Sequence, residues 1–233
     1  MKKTLIALVL VAGLLFSLTP ALADTTLYNF TFFNITNNNN EDLSDQLYGV
    51  VSSVGDQVAF TFYNDVEIAS SITDIYFDDG TLLGIASISS SEGVAFTQPA
   101  TPGDLPGGND LTPPFETTQD FSADSNEPVS ANGVDAATEW VQIVFDLQDD
   151  PDDPQGGQTL TFADTIAALT DKSLRVGLHV QAIGESGGSD SYVNNIPFDP
   201  NVNPVVPLPG ALVLLGAGLF RLAAYGRRRR NEV

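Results

Sequence analysis

Residues 174–181 read Leu-Arg-Val-Gly-Leu-His-Val-Gln, and their reading decides the fold. Leu174, Val176, Leu178 and Val180 take every second place, with Arg175, Gly177, His179 and Gln181 between them. A period of two is the signature of a β-strand, because successive side chains point to opposite faces. One face of this segment is therefore made for a core and the other for a more polar setting. The pattern recurs with Tyr28, Phe30 and Phe32, with Val58, Phe60 and Phe62, and with Val141, Ile143, Phe145 and Leu147. Shorter strand candidates are 72–77, 82–88 and 94–97, and Asp78-Asp79-Gly80 between the first two predicts a hairpin turn. Only residues 161–169 read as helix. There Phe162, Ile166 and Leu169 fall on one face, and the helix is expected between the last two long strands, over one end of the core. Strands at this spacing with one short helix predict an all-β fold, an antiparallel β-sandwich or jelly roll.

The loops lie between these segments. Residues 37–40 are four asparagines and form a polar turn. Residues 99–114 hold Pro102-Gly103, Pro106-Gly107-Gly108 and Pro113-Pro114, which exclude a regular element. Residues 148–158 are acidic, and 194–204 form a Pro/Asn linker.

The two ends have a different composition. Lys2 and Lys3 precede an apolar run from Leu5 to Phe16, and Ala21-Leu22-Ala23 is a small-x-small cleavage site, so residues 1–23 read as a secretory signal peptide. Near the other end stand Val206, Pro207, Leu208 and Pro209, then a run over 210–225 that is apolar but for Arg221, close enough to its cytoplasmic end to snorkel, then Arg227, Arg228, Arg229 and Arg230. Such a run forms a helix in lipid, where backbone groups must bond one another, and the arginines hold its end on the cytoplasmic side. At 1.5 Å per residue the run reaches roughly 25 Å, short of a bilayer core of about 30 Å. It reads as a marginal, temporary membrane anchor. The expected organisation is therefore a signal peptide over 1–23, a β-sandwich ectodomain over 24–195, a linker over 196–205 and a sorting signal over 206–233.

The tripeptide Pro207-Leu208-Pro209, the short Gly/Ala/Leu helix and the arginine cluster together resemble the PEP-CTERM sorting signal of Gram-negative bacteria, in its Val-Pro-Leu-Pro form. That resemblance implies recognition by an exosortase, a membrane cysteine transpeptidase that cuts near the prolines. The protein would then be anchored briefly in the inner membrane and delivered to the outer surface or extracellular matrix. The ectodomain also resembles a group of PEP-CTERM surface proteins. The stretches that carry this likeness are Ser70-Ser71-Ile72-Thr73-Asp74-Ile75-Tyr76-Phe77-Asp78-Asp79-Gly80, Leu105-Pro106-Gly107-Gly108-Asn109 and residues 174–181.

Removing both ends sharpens the charge. The ectodomain keeps two cations, Lys172 and Arg175, against twenty-nine acids, a net of −27. Such a surface repels nucleic acid and anionic lipid. With no cysteine, stability must come from the core rather than from disulfides.

Several residues invite a chemical role. Gly184-Glu185-Ser186-Gly187-Gly188 matches G-x-S-x-G and looks like the nucleophile loop of a chymotrypsin-type protease, with His179 the sole histidine. However, His179 lies only seven residues upstream and no helix follows the serine, so a Gly/Ser turn after a strand is the expectation. His179 itself is expected on the surface. Three acid clusters, at 149–153, at Asp120/Asp124/Glu127 and at Asp78/Asp79, invite calcium, yet none follows the known loop spacing, and solvated turns are expected. Trp140 reads as a packing residue. No catalytic residue, no metal ligand and no cofactor are therefore assigned, with calcium the one cofactor left open. The expectation is a non-enzymatic exported protein whose partners are the exosortase, the membrane through 210–226, and exopolysaccharide in a biofilm matrix. The alternatives are an extracellular hydrolase on polysaccharide or peptide and a calcium-stabilised adhesion module.

Overall fold

The computed structural model describes residues 27–79 and 82–195. The signal peptide with Ala21 and Ala23, the linker, and the sorting signal with Val206 to Pro209 and Arg227 to Arg230 all lie outside the described residues. Among the described residues no helix is long and apolar enough to cross a membrane.

Among the described residues ten strands form an antiparallel sheet: β1 (Leu27–Asn34), β2 (Leu47–Val54), β3 (Gln57–Asn64), β4 (Ser71–Asp79), β5 (Leu82–Ser90), β6 (Phe96–Thr97), β7 (Ser122–Ser125), β8 (Val141–Leu147), β9 (Leu174–Ile183) and β10 (Gly188–Asn194). Their order is β5-β8-β3-β2-β1-β10-β9-β4-β7-β6. Strand β1 joins two halves. Leu27 to Thr31 pair with β2, and Phe32 to Asn34 pair with β10. The halves face each other across one core. The Phe77 ring of β4 meets Phe60 of β3 at 5.1 Å and Phe145 of β8 at 4.7 Å, both edge to face. Leu174, Val176, Leu178 and Val180 are fully buried in that core, as the alternation predicts.

Helix α1 (Val129–Asn132) is a single turn, and helix α2 (Phe162–Asp171) runs between β8 and β9 as expected. Thr161 starts α2 through a capping box. Its hydroxyl oxygen accepts from the Asp164 N–H, and the Asp164 carboxylate accepts the Thr161 N–H at 2.7 Å. Leu169 is buried in the core and Phe162 and Ile166 pack against it, so the face read from the sequence is the one that docks. Lys172, in left-handed conformation at φ 72°, ends the helix.

The expected hairpin at Asp78-Asp79-Gly80 is not formed. Strand β4 pairs with β7 and β9, whereas β5 pairs with β8. Both strands bring apolar side chains to the same core, but from opposite sides, so the chain crosses between the half-sheets here. A turn signal fixes a local reversal and says nothing of which strands become partners.

Candidate functional site

The outer face of the half-sheet β10-β9-β4-β7 carries most of the described chemistry. Residues opposite one another on antiparallel strands share a face, so the registers place side chains there in rows.

The first row is Asp124, Asp74, His179 and Ser191. Asp74 Oδ2 lies 3.0 Å from His179 Nδ1 and accepts the Thr73 hydroxyl at 2.8 Å. Asp74 is almost wholly buried and the His179 side chain only 15% exposed. His179 points away from the core, as its place in the strand predicts. It is not the free surface histidine expected, because a carboxylate 105 residues away in sequence holds its ring. Burial raises the Asp124 carboxyl above its ordinary value, and the nearby charge of Asp74 adds to that. Ser191 stands across from His179, but its Oγ is buried with no hydrogen-bond partner among the described residues. Ser186 is elsewhere, in the turn between β9 and β10, with its hydroxyl 3.2 Å from the Ile183 carbonyl and 3.3 Å from Asn39 Oδ1. The Ser186–His179 pair that acyl transfer requires is therefore not assembled.

The second row is Ser122, Tyr76, Gly177 and Val193, continued by Phe33 of β1. The Pro/Gly-rich segment 98–121 lies over it. Ala100, Leu105 and Phe115 pack with Tyr76 and Val193 in a second, smaller cluster. The Tyr76 hydroxyl donates to the Pro102 carbonyl at 3.0 Å, and burial pushes its phenol far above the ordinary range. Gly177 has a steric role, since a Cβ there would lie 2.7 Å from Leu105 Cδ2.

The third row is Asp78 and Arg175. The guanidinium pairs with the Asp78 carboxylate and donates to the Pro113 carbonyl at 2.9 Å and to that of Pro114. It also lies 5.2 Å from the Phe115 ring centre, a cation–π distance. Arg175 thereby ties the segment 98–121 to the sheet.

Beyond this row opens a pocket of about 160 Å³. Phe33 and Val193 line one part of it and Leu111, Thr112 and Pro113 another, with Lys172, Arg175, Asn194 and Asn195 completing the lining. The two cations of residues 24–205 thus meet at one place. Arg175 is committed to Asp78. Lys172 has no ion-pair partner among the described residues. Its neighbour Asp171 is engaged, since hydrogen bonds from Ser173 hold its carboxyl below the ordinary value. Asn194 accepts the Val176 N–H through Oδ1 at 2.7 Å, whereas its buried Nδ2 has no partner among the described residues. A buried donor left unpaired costs about 1–3 kcal/mol.

The acid clusters resolve into turns and pairs. Asp150 accepts the Asp152 N–H, and Asp153 accepts those of Gln155 and Gln158. Asp78 pairs with Arg175. Among the described residues no group of three or more His, Asp or Glu side chains converges as a metal site.

Of the residues singled out from sequence, His179 lies in the first row and Ser186 lies apart from it. Phe33, Lys172, Arg175 and Asn194 were not foreseen as a set. The one signal available was compositional: Lys172 and Arg175 are the sole cations of the ectodomain and lie three residues apart.

Comparison with protein-family models, with curated proteins and with solved structures gave no match.

Proposed function

We propose that this chain is a non-enzymatic exported protein, delivered to the cell surface by an exosortase and associated there with exopolysaccharide. The observation that carries this reading is the ordered set at the C-terminal end: Val206-Pro207-Leu208-Pro209, a 16-residue run that is apolar but for Arg221, and Arg227 to Arg230. With the signal peptide over 1–23 it brackets the β-rich body between an export signal and a temporary anchor. The all-β body suits that destination, because it keeps one aromatic core with no cysteine and needs no oxidative folding. We class the body as a β-sandwich, since its two half-sheets share β1 and pack face to face through Phe60, Phe77 and Phe145.

The direct test replaces Pro207 and Pro209 together by alanine in the native host. The expected result is loss of protein from the surface and medium and accumulation of a longer form in the inner membrane. An unchanged distribution between fractions would refute sorting through these prolines. Because the change lies outside the β body, misfolding of the body does not confuse the outcome.

A further inference from the structure

The geometry points to the pocket between β1, β10 and the segment 98–121 as a binding site for one carboxylated sugar residue, a terminal hexuronate. This deepens the proposed association with exopolysaccharide and rests on that reading.

The argument starts from charge. In a body carrying twenty-nine acids and two cations, both cations line one pocket. Their roles differ. Arg175 is engaged by Asp78 and the carbonyls of Pro113 and Pro114, so it shapes the wall. Lys172 has no ion-pair partner among the described residues. Asn194 also lines the pocket, and its side chain fixes the wall by accepting the Val176 N–H. An ammonium with no ion pair among the described residues calls for an acceptor, and a carboxylate supplies two charged oxygens.

The rest of the lining selects the remainder of the ligand. Phe33 is 40% exposed, an unusual state for a large ring, and it pairs across the strands with Val193. An exposed aromatic face beside polar groups suits a sugar ring, whose C–H face stacks while its hydroxyls reach Thr112 and Asn195. The size limits the ligand. At about 160 Å³ the pocket is smaller than a typical small-molecule site, which starts at roughly 300 Å³. It takes one ring, at a chain end. A polyanion laid along the body would meet the acidic surface, whereas attraction inside the pocket acts over less than a Debye length, about 8 Å at physiological salt.

The test is a titration of the full-length protein in detergent micelles, followed by amide chemical shifts and calorimetry. The probes are D-glucuronate, D-glucose, acetate and acetyl-dialanine. D-Glucuronate is expected to saturate and to shift the amides of Phe33, Lys172, Val193 and Asn194, with glucose and acetate each about tenfold weaker. Lys172→Asn removes the charge and suits the left-handed backbone there. It should weaken glucuronate about tenfold while leaving glucose unchanged, and Lys172→Arg should restore most of the loss. Acetate binding as tightly as glucuronate would mean a bare anion site and would overturn the proposal, as would tighter binding of acetyl-dialanine, which would mean a peptide terminus. Indifference of glucuronate to Lys172→Asn, or no binding of glucuronate, would also overturn it. None of these results touches export itself, which the proline variant decides separately.

Discussion

Replacing Phe77 by alanine removes the ring that links the two half-sheets. Phe77 is fully buried and makes edge-to-face contacts with Phe60, Phe62 and Phe145 at 5.1, 6.2 and 4.7 Å. Truncating a buried phenylalanine costs about 3–5 kcal/mol. That range already contains the loss of the three edge-to-face pairs, each roughly 0.5–1.5 kcal/mol, so we expect its midpoint, about 4 kcal/mol. Urea unfolding followed through Trp140, the sole tryptophan, reads this directly, and the absence of cysteine removes thiol chemistry from the measurement. With a urea dependence of about 2 kcal/mol per molar, the midpoint should fall by about 2 M. Phe33→Ala is the control. That ring is 40% exposed, and its loss should cost less than about 1 kcal/mol. Equal effects of the two changes, or a loss below about 1.5 kcal/mol for Phe77→Ala, would refute the packing of the half-sheets through this residue.

Two further outcomes follow from the outer face and its loops. Gly177→Ala drives a methyl group against Leu105 and should cost about 1–3 kcal/mol. The mark of the predicted mechanism is new protease cleavage within 98–121, and a destabilised protein with that segment still protected would contradict it. Asp190 carries an acid-side dependence. Burial opposes its charge, but hydrogen bonds from Asn39, Asn38 and Thr36 outweigh this and hold its carboxyl below the ordinary 3.8. A carboxyl lowered in the folded state stabilises above its unfolded value and loses that contribution as pH falls through the folded one. The wild type should therefore lose stability below about pH 4 more steeply than Asp190→Asn, as thermal melts from pH 6 to pH 2 would register. Parallel curves would remove Asp190 as the anchor of the turn at 37–40.

The strands that announce themselves in the sequence set large apolar side chains against small or polar ones, as β3 does with Ala59 and Thr61 although both its faces are buried. Residues 174–181 and 141–147 alternate because one side meets the core and the other does not. Strand β2 escapes because Tyr48, Val50 and Val51 are buried on both faces and Gly49 interrupts the pattern. That glycine is required by the Phe30 ring, which a Cβ would meet at 2.3 Å. Strands β7 and β10 escape for the opposite reason. Ser122-Ala123-Asp124-Ser125 and Gly188-Ser189-Asp190-Ser191 read as loops, and only a covering segment and a buried Tyr192 make them sheet. The outward direction of His179 is legible, since it follows from period two, but its partner Asp74 lies on a strand far away in sequence. The pocket is illegible for the same reason. Phe33, Lys172, Arg175 and Asn194 come from β1, a helix end, β9 and β10, and only the register brings them together. The termini are the reverse case, where composition and order speak and the described residues stop short.

The central claim is passage through export and sorting, and the intact mass of the protein recovered from its host's surface and medium tests it most directly. The account predicts a mass lacking residues 1–23 and those after about Pro207. Extra mass beyond that would identify a covalent attachment at the surface. A mass that still includes Arg227 to Arg230 would make the C-terminal run a permanent anchor and would contradict the account.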